Sequence, residues 1–392
     1  MSKNLRELEQ IQQNLEYHNK ELKVFVADVL PLELRTQNDM QDRLLELENL
    51  VNTYGWVVII KHIQKRWVPD YKSYIWSWKL DEIMQEMELA WANVLILWNI
   101  LKPIQIYNIN EKLKTIWAKA WDRVDLILKI FEKNAKTMES KLQIELASIK
   151  HMWPRIFDMW MELWSQWSWW NKGSRWKWET NTQIMKDHLY ERQISIKKDL
   201  EQYKKVRAEH RKSRSKKWLF TVWVVGYTNA WKSSLMNVLT NKWVLAEDKL
   251  FATLWTSVWK MVVMSKQKDD AVFQKPVEVL VNDTIWFIRD LPPNLIQAFS
   301  STLEDSIESD LLLEVVDASD EKLAQKLEVV DEILKKIKAE QKRIYVFNKI
   351  DKLNKEQIDE LRIKYLDYSP IFISTHQKIW IEDLKYLIVD KL

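Results

Sequence analysis

Gly226-Tyr227-Thr228-Asn229-Ala230-Trp231-Lys232-Ser233 decides how this chain reads. An apolar run, Leu219–Val225, leads into it, and a helical pattern beginning Ser234-Leu235-Met236 leads out. With glycine at 231 the octet is G-x-x-x-x-G-K-S. In such a loop successive backbone N–H groups and the following helix N-terminus cradle phosphates. Lys232 would neutralise the β/γ oxygens and the Ser233 hydroxyl would bind Mg²⁺. A side chain at 231 would crowd the loop, so the identity of that one residue matters.

Composition bears on it directly. The chain of 392 residues holds 24 tryptophans and 3 glycines, where ordinary usage of about 7% would give roughly 27 glycines. Tryptophan also stands in polar, turn-like contexts, such as Ser165-Gln166-Trp167-Ser168-Trp169-Trp170 and Tyr74-Ile75-Trp76-Ser77-Trp78-Lys79. Glycine suits such places because it takes φ > 0 at no steric cost. The pattern predicts that most of these positions are glycine in the natural protein. A UGA codon written as tryptophan, in an organism that reads it as glycine, would produce it.

Other classes fall away quickly. With no cysteine, disulfide scaffolds and Cys-ligated metal sites are excluded, and six scattered histidines form no ligand motif. Hydrophobic content of 47% supports a sizeable core, and the length suggests two or three domains. The net charge is +4, from 60 basic and 56 acidic residues. The longest apolar stretch, near Leu95–Leu101, is interrupted by Asn99 and closed by Lys102 and Pro103, so no membrane span is expected. Without an apolar leader the expectation is a soluble cytoplasmic protein.

Downstream of the octet, Asp283-Thr284-Ile285-Trp286 ends an apolar strand fifty residues after Ser233. As D-x-x-G, Asp283 would hold Mg²⁺ through water, and the backbone N–H of position 286 would sense the γ-phosphate. Asn348-Lys349-Ile350-Asp351 directly follows the strand Ile344–Phe347. The Asp351 carboxylate can accept from guanine N1–H and its exocyclic amine, groups that adenine does not offer in that arrangement. Lys349 would lay its stem along the base, and Ser374-Thr375 stands where a guanine O6 contact belongs. Together these turn a nucleoside triphosphatase into a GTPase. Phe251-Ala252-Thr253-Leu254 places a threonine twenty residues after Ser233; Thr253 is the candidate to complete the Mg²⁺ shell, with Thr256 in reserve. Lys232, Thr253 and Asp283 are the candidate catalytic residues, and Ser233 and Thr253 the candidate metal ligands. Asn229 reads equally as a K⁺ ligand or a loop-stabilising residue. Phe287 offers no polar group to orient water, so slow unaided hydrolysis is expected.

Three regions emerge, with boundaries at 1–115, 116–217 and 218–392. The first reads as a small β/α subdomain, with strands at Leu22–Val29 and Trp56–Ile60 and a helix over Met40–Val51. The second reads as a long helical hairpin. Leu128, Ala135, Leu142 and Ile149 repeat every seven residues, and Pro154 ends that helix. A second helix runs from Thr180 to about Lys212. Trp160–Trp178, with seven tryptophans in nineteen residues, reads as a basic loop between them that could meet nucleic acid or serve as a linker. Gln202–Lys217 carries eight Lys/Arg against one Glu, which reads equally as a solvated helix end or as an RNA-facing or linker segment. The third region alternates strands (Leu219–Val225, Met261–Val263, Val277–Val281, Leu311–Val316, Ile344–Phe347, Ile371–Ile373) with helices. The fold class is α/β: a P-loop GTPase domain with a mixed, mostly parallel sheet, preceded by the subdomain and hairpin.

With glycine restored, specific strings appear: Tyr74–Leu80 as YIGSGKL, Lys141–Ala147 as KLQIELA, Ser174–Thr180 as SRGKGET, then GYTNAGKSSL, FATL, and Asp283–Pro292 as DTIGFIRDLP. On these, and on Gln64-Lys65-Arg66, Pro69-Asp70 and Pro154-Arg155, the chain resembles the HflX family of translational GTPases over essentially its whole length. It departs where Trp255-Thr256-Ser257 follows FATL in place of Asp-Pro-Thr-Thr-Arg, and where Thr375 replaces alanine. The resemblance implies a GTPase, cycling between GTP and GDP, that binds the large ribosomal subunit and can split or rescue stalled ribosomes, its hairpin loop reaching toward the peptidyl-transferase centre; a monomer is expected. If Trp231 and Trp286 are authentic, the alternative is a nucleotide-dead RNA-binding scaffold.

Overall fold

The structure, a computed structural model, describes residues 23–30, 37–65, 68–135, 137–167, 175–215, 220–227, 231–240, 258–264, 276–283, 295 and 309–392. It divides into two compact units, Met1–Lys133 with Ala147–Ile194, and Asn134–Leu146 with Ser195–Leu392.

The first unit is built on a parallel sheet in the order β2-β1-β3-β4, from β1 Lys23–Leu30, β2 Val57–Lys65, β3 Val94–Leu97 and β4 Lys119–Asp122. Helices α1 Gln37–Tyr54, α2 Ser77–Ala90 and α3 Pro103–Leu113 make the crossovers. Parallel strands covered on both faces read as unbroken apolar runs, and all four residues of β3 are buried. β3 and β4 go beyond the two expected strands, and β4 lies inside the stretch expected to be helical. Leu80, Ile83 and Met87 of α2 pack with Phe25, Leu95 and Leu97 into one core.

The expected helical seam is corrected in two places. Leu128 lies on α4 Arg123–Asn134, but Leu142 and Ile149 lie on a separate helix, α5 Met138–Trp167, and Ala135 falls between them. Thr137 starts the new helix: its carbonyl accepts from the Lys141 N–H and the Ser140 hydroxyl. Pro154 does not end α5, which runs on to Trp167. An interior proline removes one i→i−4 bond and strains the preceding turn, and here the helix continues through it. The loop expected over Trp160–Trp178 shortens from both ends, because α5 reaches Trp167 and α6 spans Arg175–Ser215. Tryptophan is a middling helix former whereas glycine costs about 1 kcal/mol against alanine, so the residues as written extend both helices. Residues 168–174 lie outside the described ones.

Helix ends repeat one device. After α1, Gly55 at φ +99° gives its N–H to Asn52 O, and Trp56 gives its N–H to Val51 O. This paired 5→2 and 6→1 cap requires a left-handed residue. After α2, Trp91 and Ala92 make the same pair to Glu88 O and Met87 O; Trp117 and Ala118 repeat it to Lys114 O and Leu113 O. Trp91 and Trp117 have φ of 55° and 57°, and the two residues are 82% and 86% exposed. Of the nine non-glycine residues with positive φ among the described ones, four are tryptophan: Trp91, Trp117, Trp231 and Trp380.

The second unit holds a six-stranded sheet in the order β10-β9-β8-β5-β7-β6. Its strands are β5 Phe220–Val225, β6 Val258–Met264, β7 Pro276–Asp283, β8 Leu311–Asp317, β9 Lys342–Asn348 and β10 Ile371–Phe372. All pairings are parallel except β6 with β7. Among the described residues, the helices beside this sheet are α7 Lys232–Thr240, α8 Leu323–Lys336, α9 Lys355–Lys364 and α10 Ile381–Lys391. Val222, Val224, Leu313 and Val315 are fully buried with Leu235 of α7 and Leu384 and Ile388 of α10; each such side chain contributes about 1.5–3 kcal/mol of burial. The sequence order doubles back across β5, whose neighbours are β7 on one side and β8 on the other. Ligands of open α/β sheets bind beyond the carboxyl ends of strands at such a switch point.

Candidate nucleotide site

Five parallel strands (β5, β7, β8, β9 and β10) end at the same edge of this sheet, and those sequence-predicted residues that are described lie there by register. Gly226-Tyr227 leaves β5, and Asp283 ends β7 opposite Val224 of β5. Asn348 ends β9 opposite Asp317 of β8. Ser374 follows β10, whose residues pair with the end of β9.

The loop after β5 turns beside β8. Gly226 has φ +151°, and a Cβ built on it would lie 2.2 Å from the Val315 carbonyl oxygen. Only glycine fits. Lys232, the first residue of α7, is 1% exposed, and its ammonium donates to the carbonyls of Gly226 at 2.6 Å and Tyr227 at 2.8 Å. It clasps the start of the loop to the N-terminus of the helix that follows, where anions are favoured. Ser233 and Ser234 occupy that first turn, both half-buried. Trp231 has φ 59°, the left-handed value a loop glycine takes freely, and the Lys349 ammonium lies 5.4 Å from its ring centroid. Thr228, Asn229 and Ala230 lie outside the described residues.

The opposite wall is pinned by side chains. Asn348, fully buried, accepts at Oδ1 from the Thr375 N–H at 3.0 Å and from the Thr375 hydroxyl at 3.2 Å. The Ser374 hydroxyl donates to Asp351 Oδ1 and accepts the Gln377 N–H at 3.0 Å. Ile350 N–H donates to Ile373 O at 3.3 Å. Ser374 and Thr375 therefore hold Asp351 and Asn348 in place with their side chains. Lys349 takes φ 68° between them.

Of the other candidates, Asp283 is placed by its backbone alone. Phe251, Ala252, Thr253, Leu254, Thr284, Ile285 and Trp286 lie outside the described residues, as do Thr256 and Phe287. Two participants escape the motif reading: the Val315 carbonyl that forbids any side chain at 226, and Asp317, which pairs with Lys349 at 2.6 Å. The only signal for Asp317 in the sequence is its place at the end of the apolar run that starts at Leu311.

A strand, a glycine-started loop clasped by a buried lysine at a helix N-terminus, and a side-chain-pinned Asn348–Asp351 loop at the neighbouring strand ends define a P-loop GTP-binding domain. The comparisons agree. Residues 221–349 match the family "50S ribosome-binding GTPase", 41–132 "GTP-binding GTPase N-terminal" and 134–214 "GTP-binding GTPase Middle Region". The protein named GTPase HflX of Caldanaerobacter subterraneus subsp. tengcongensis is 37% identical over 314 residues, covering 80% of this chain and 70% of its own. That of Methanocaldococcus jannaschii is 36% identical over 355 residues, covering 88% and 82%. A crystal structure of a protein called SsGBP with GDP is 26% identical, covers 94% of this chain and 98% of its own, and has a TM-score of 0.53. The chain belongs to the HflX family of GTPases and is a GTP-hydrolysing enzyme. No helix among the described residues is long and apolar enough to cross a membrane.

Proposed function

We propose that this GTPase works on the large ribosomal subunit, binding in its GTP form and leaving after hydrolysis, and that its binding splits or rescues ribosomes. The convergence of Gly226, Lys232, Asp283, Asn348 and Asp351 at one sheet edge supports the nucleotide half of the reading. Family membership and the basic end of α6, Gln202–Ser215, support the ribosomal half. The proposed organisation has a subdomain over 1–115, a hairpin over 116–217 and a G domain over 218–392, acting as a cytoplasmic monomer.

Each residue has a task in that reading. The loop and the α7 N-terminus hold the phosphates, Lys232 carries the positive charge beside the β/γ oxygens, and Asp351 accepts from the guanine edge. Bound Mg²⁺ would neutralise charge developing on the phosphate oxygens. The hydroxyls of Ser233 and Thr253 and the Asp283 carboxylate are the hard oxygen donors that suit it, Asp283 through water. Asn229 is the residue a potassium ion would use. With Phe287 after the D-x-x-G position, water is left unoriented until the ribosome contributes, so activity alone is slow. A titration of GTPase rate with purified large subunits tests this: marked stimulation is expected, and a flat response overturns the ribosomal half.

We further infer that glycine occupies 231 and 286, and most other written tryptophans, in the natural protein. The left-handed caps at Trp91 and Trp117, matched bond for bond by Gly55, support this from outside the site. The second reading, an RNA-binding scaffold without nucleotide, draws on the Trp231 ring lying within reach of Lys349. RNA retention without GTP binding in a filter assay would favour it.

A further inference from the structure

Asp317 ends β8 beside the base-recognition loop and belongs to none of the motifs above. Its carboxylate is tied on both sides. Oδ1 accepts the Ser319 N–H at 3.0 Å and the Ser319 hydroxyl at 2.6 Å. Oδ2 accepts the Lys349 ammonium at 2.6 Å. The two charged side chains are only 16% and 9% exposed. Burial pushes the Asp317 carboxyl up, but the bonds from Lys349 and Ser319 outweigh it and leave it below the usual carboxylate value.

We propose that Asp317 is a positioning residue for guanine nucleotide binding, acting through Lys349. The inference rests on the GTP-binding reading of Asn348–Asp351 and extends it. A lysine stem is a chain of free rotors, and ordering it against a base costs affinity. Here both ends of Lys349 are held before any base arrives: the backbone by its left-handed turn at φ 68°, the ammonium by Asp317. The stem between them is thus pre-set as one wall of the base slot. A neutral partner at 317 would release the ammonium and leave the stem to be ordered by the nucleotide. The competing role for Asp317 is local, as an anchor for the turn at Ser319.

The test uses the full chain with glycine at 231 and 286, titrated with Mg-GDP in a calorimeter. Asp317→Asn is expected to weaken GDP binding about tenfold, the equivalent of 1.4 kcal/mol. It should raise KM for GTP and leave kcat unchanged. In a Lys349→Met background the same substitution should change nothing further, and Ser319→Ala, which spares Lys349, should bind like the parent. If D317N fails to fold, Asp317→Ser, which is likewise neutral, carries the same comparisons. Unchanged binding, an equal loss in both backgrounds, or an equal loss in S319A overturns the inference. A parent that does not bind Mg-GDP overturns the nucleotide reading along with it.

Discussion

Gly226, just past the end of β5, and Val315 of the neighbouring β8 lie so close that a Cβ at 226 would stand 2.2 Å from the Val315 carbonyl oxygen. The glycine that opens this loop is therefore demanded by the sheet beneath it. Lys232 then turns its ammonium down onto the Gly226 carbonyl, so strand, loop and helix are fastened at one point.

Substituting Gly226→Ala should cost about 1–3 kcal/mol of stability from overpacking alone. It should also displace the loop against Lys232 and abolish GDP binding. Urea unfolding alongside GDP titration checks both. A variant that binds normally would show that β8 gives way without harm.

The exposed left-handed tryptophans should be poor tenants. A non-glycine residue in the left-handed region costs roughly 1–2 kcal/mol, so Trp91→Gly and Trp117→Gly should each raise the unfolding free energy by about 1 kcal/mol. Equilibrium denaturation measures it. Loss of stability in both would mean that the indoles earn their place by contacts. Peptide mass spectrometry of the natural protein over residues 218–232 reads the identity at 223 and 231 directly, with glycine expected at both.

Glu314 is buried in β8 with no exposure, and burial together with nearby Asp331 pushes its carboxyl up to about 8 despite Arg343. A carboxyl with a raised native pKa is protonated in the fold where the unfolded chain is already ionised. The stability tied to it is thus complete below the unfolded value, near 4.5, and is lost as pH rises through about 8. Glu314→Gln should remove that decline. Thermal unfolding at pH 5 and pH 9 should show the variant gaining on the parent only at the alkaline end.

Asp351→Asn replaces one of two acceptor oxygens with an NH2 donor, so that of the guanine N1–H and amine one keeps an acceptor and the other meets a donor. Affinity for GDP should fall at least about a hundredfold, since buried polar groups left unpaired are strongly rejected. Ser374→Ala, which frees Asp351 to move and removes the acceptor of the Gln377 N–H, should cost less, about tenfold. Competition against labelled GDP orders the two, and the reverse order would mean that Ser374 touches the base itself.

Much of this was legible without coordinates, because the chemistry lies in short contiguous strings at strand ends. Every strand expected after residue 218 is present, since buried parallel strands write themselves as apolar runs between loops. The failures have physical causes. The heptad of Leu128, Ala135, Leu142 and Ile149 matched one helix by period but said nothing of the Thr137 start that divides it. Pro154 looked like a terminator, though a helix can carry a proline at the loss of one hydrogen bond. β3 was visible only as apolar residues, and β4, Lys119–Asp122, is too short and mixed to declare itself. Asp317 and the Val315 carbonyl act through register across strands, which no local pattern records.

The most direct test of the central claim compares two forms of the full chain by calorimetric titration with Mg-GDP, one with glycine at 231 and 286 and one with tryptophan at both. Binding by the glycine form, and none by the tryptophan form, is the predicted result. Absence of binding in the glycine form would contradict a guanine nucleotide site at this sheet edge, and equal binding by both would contradict the requirement for glycine in the loop.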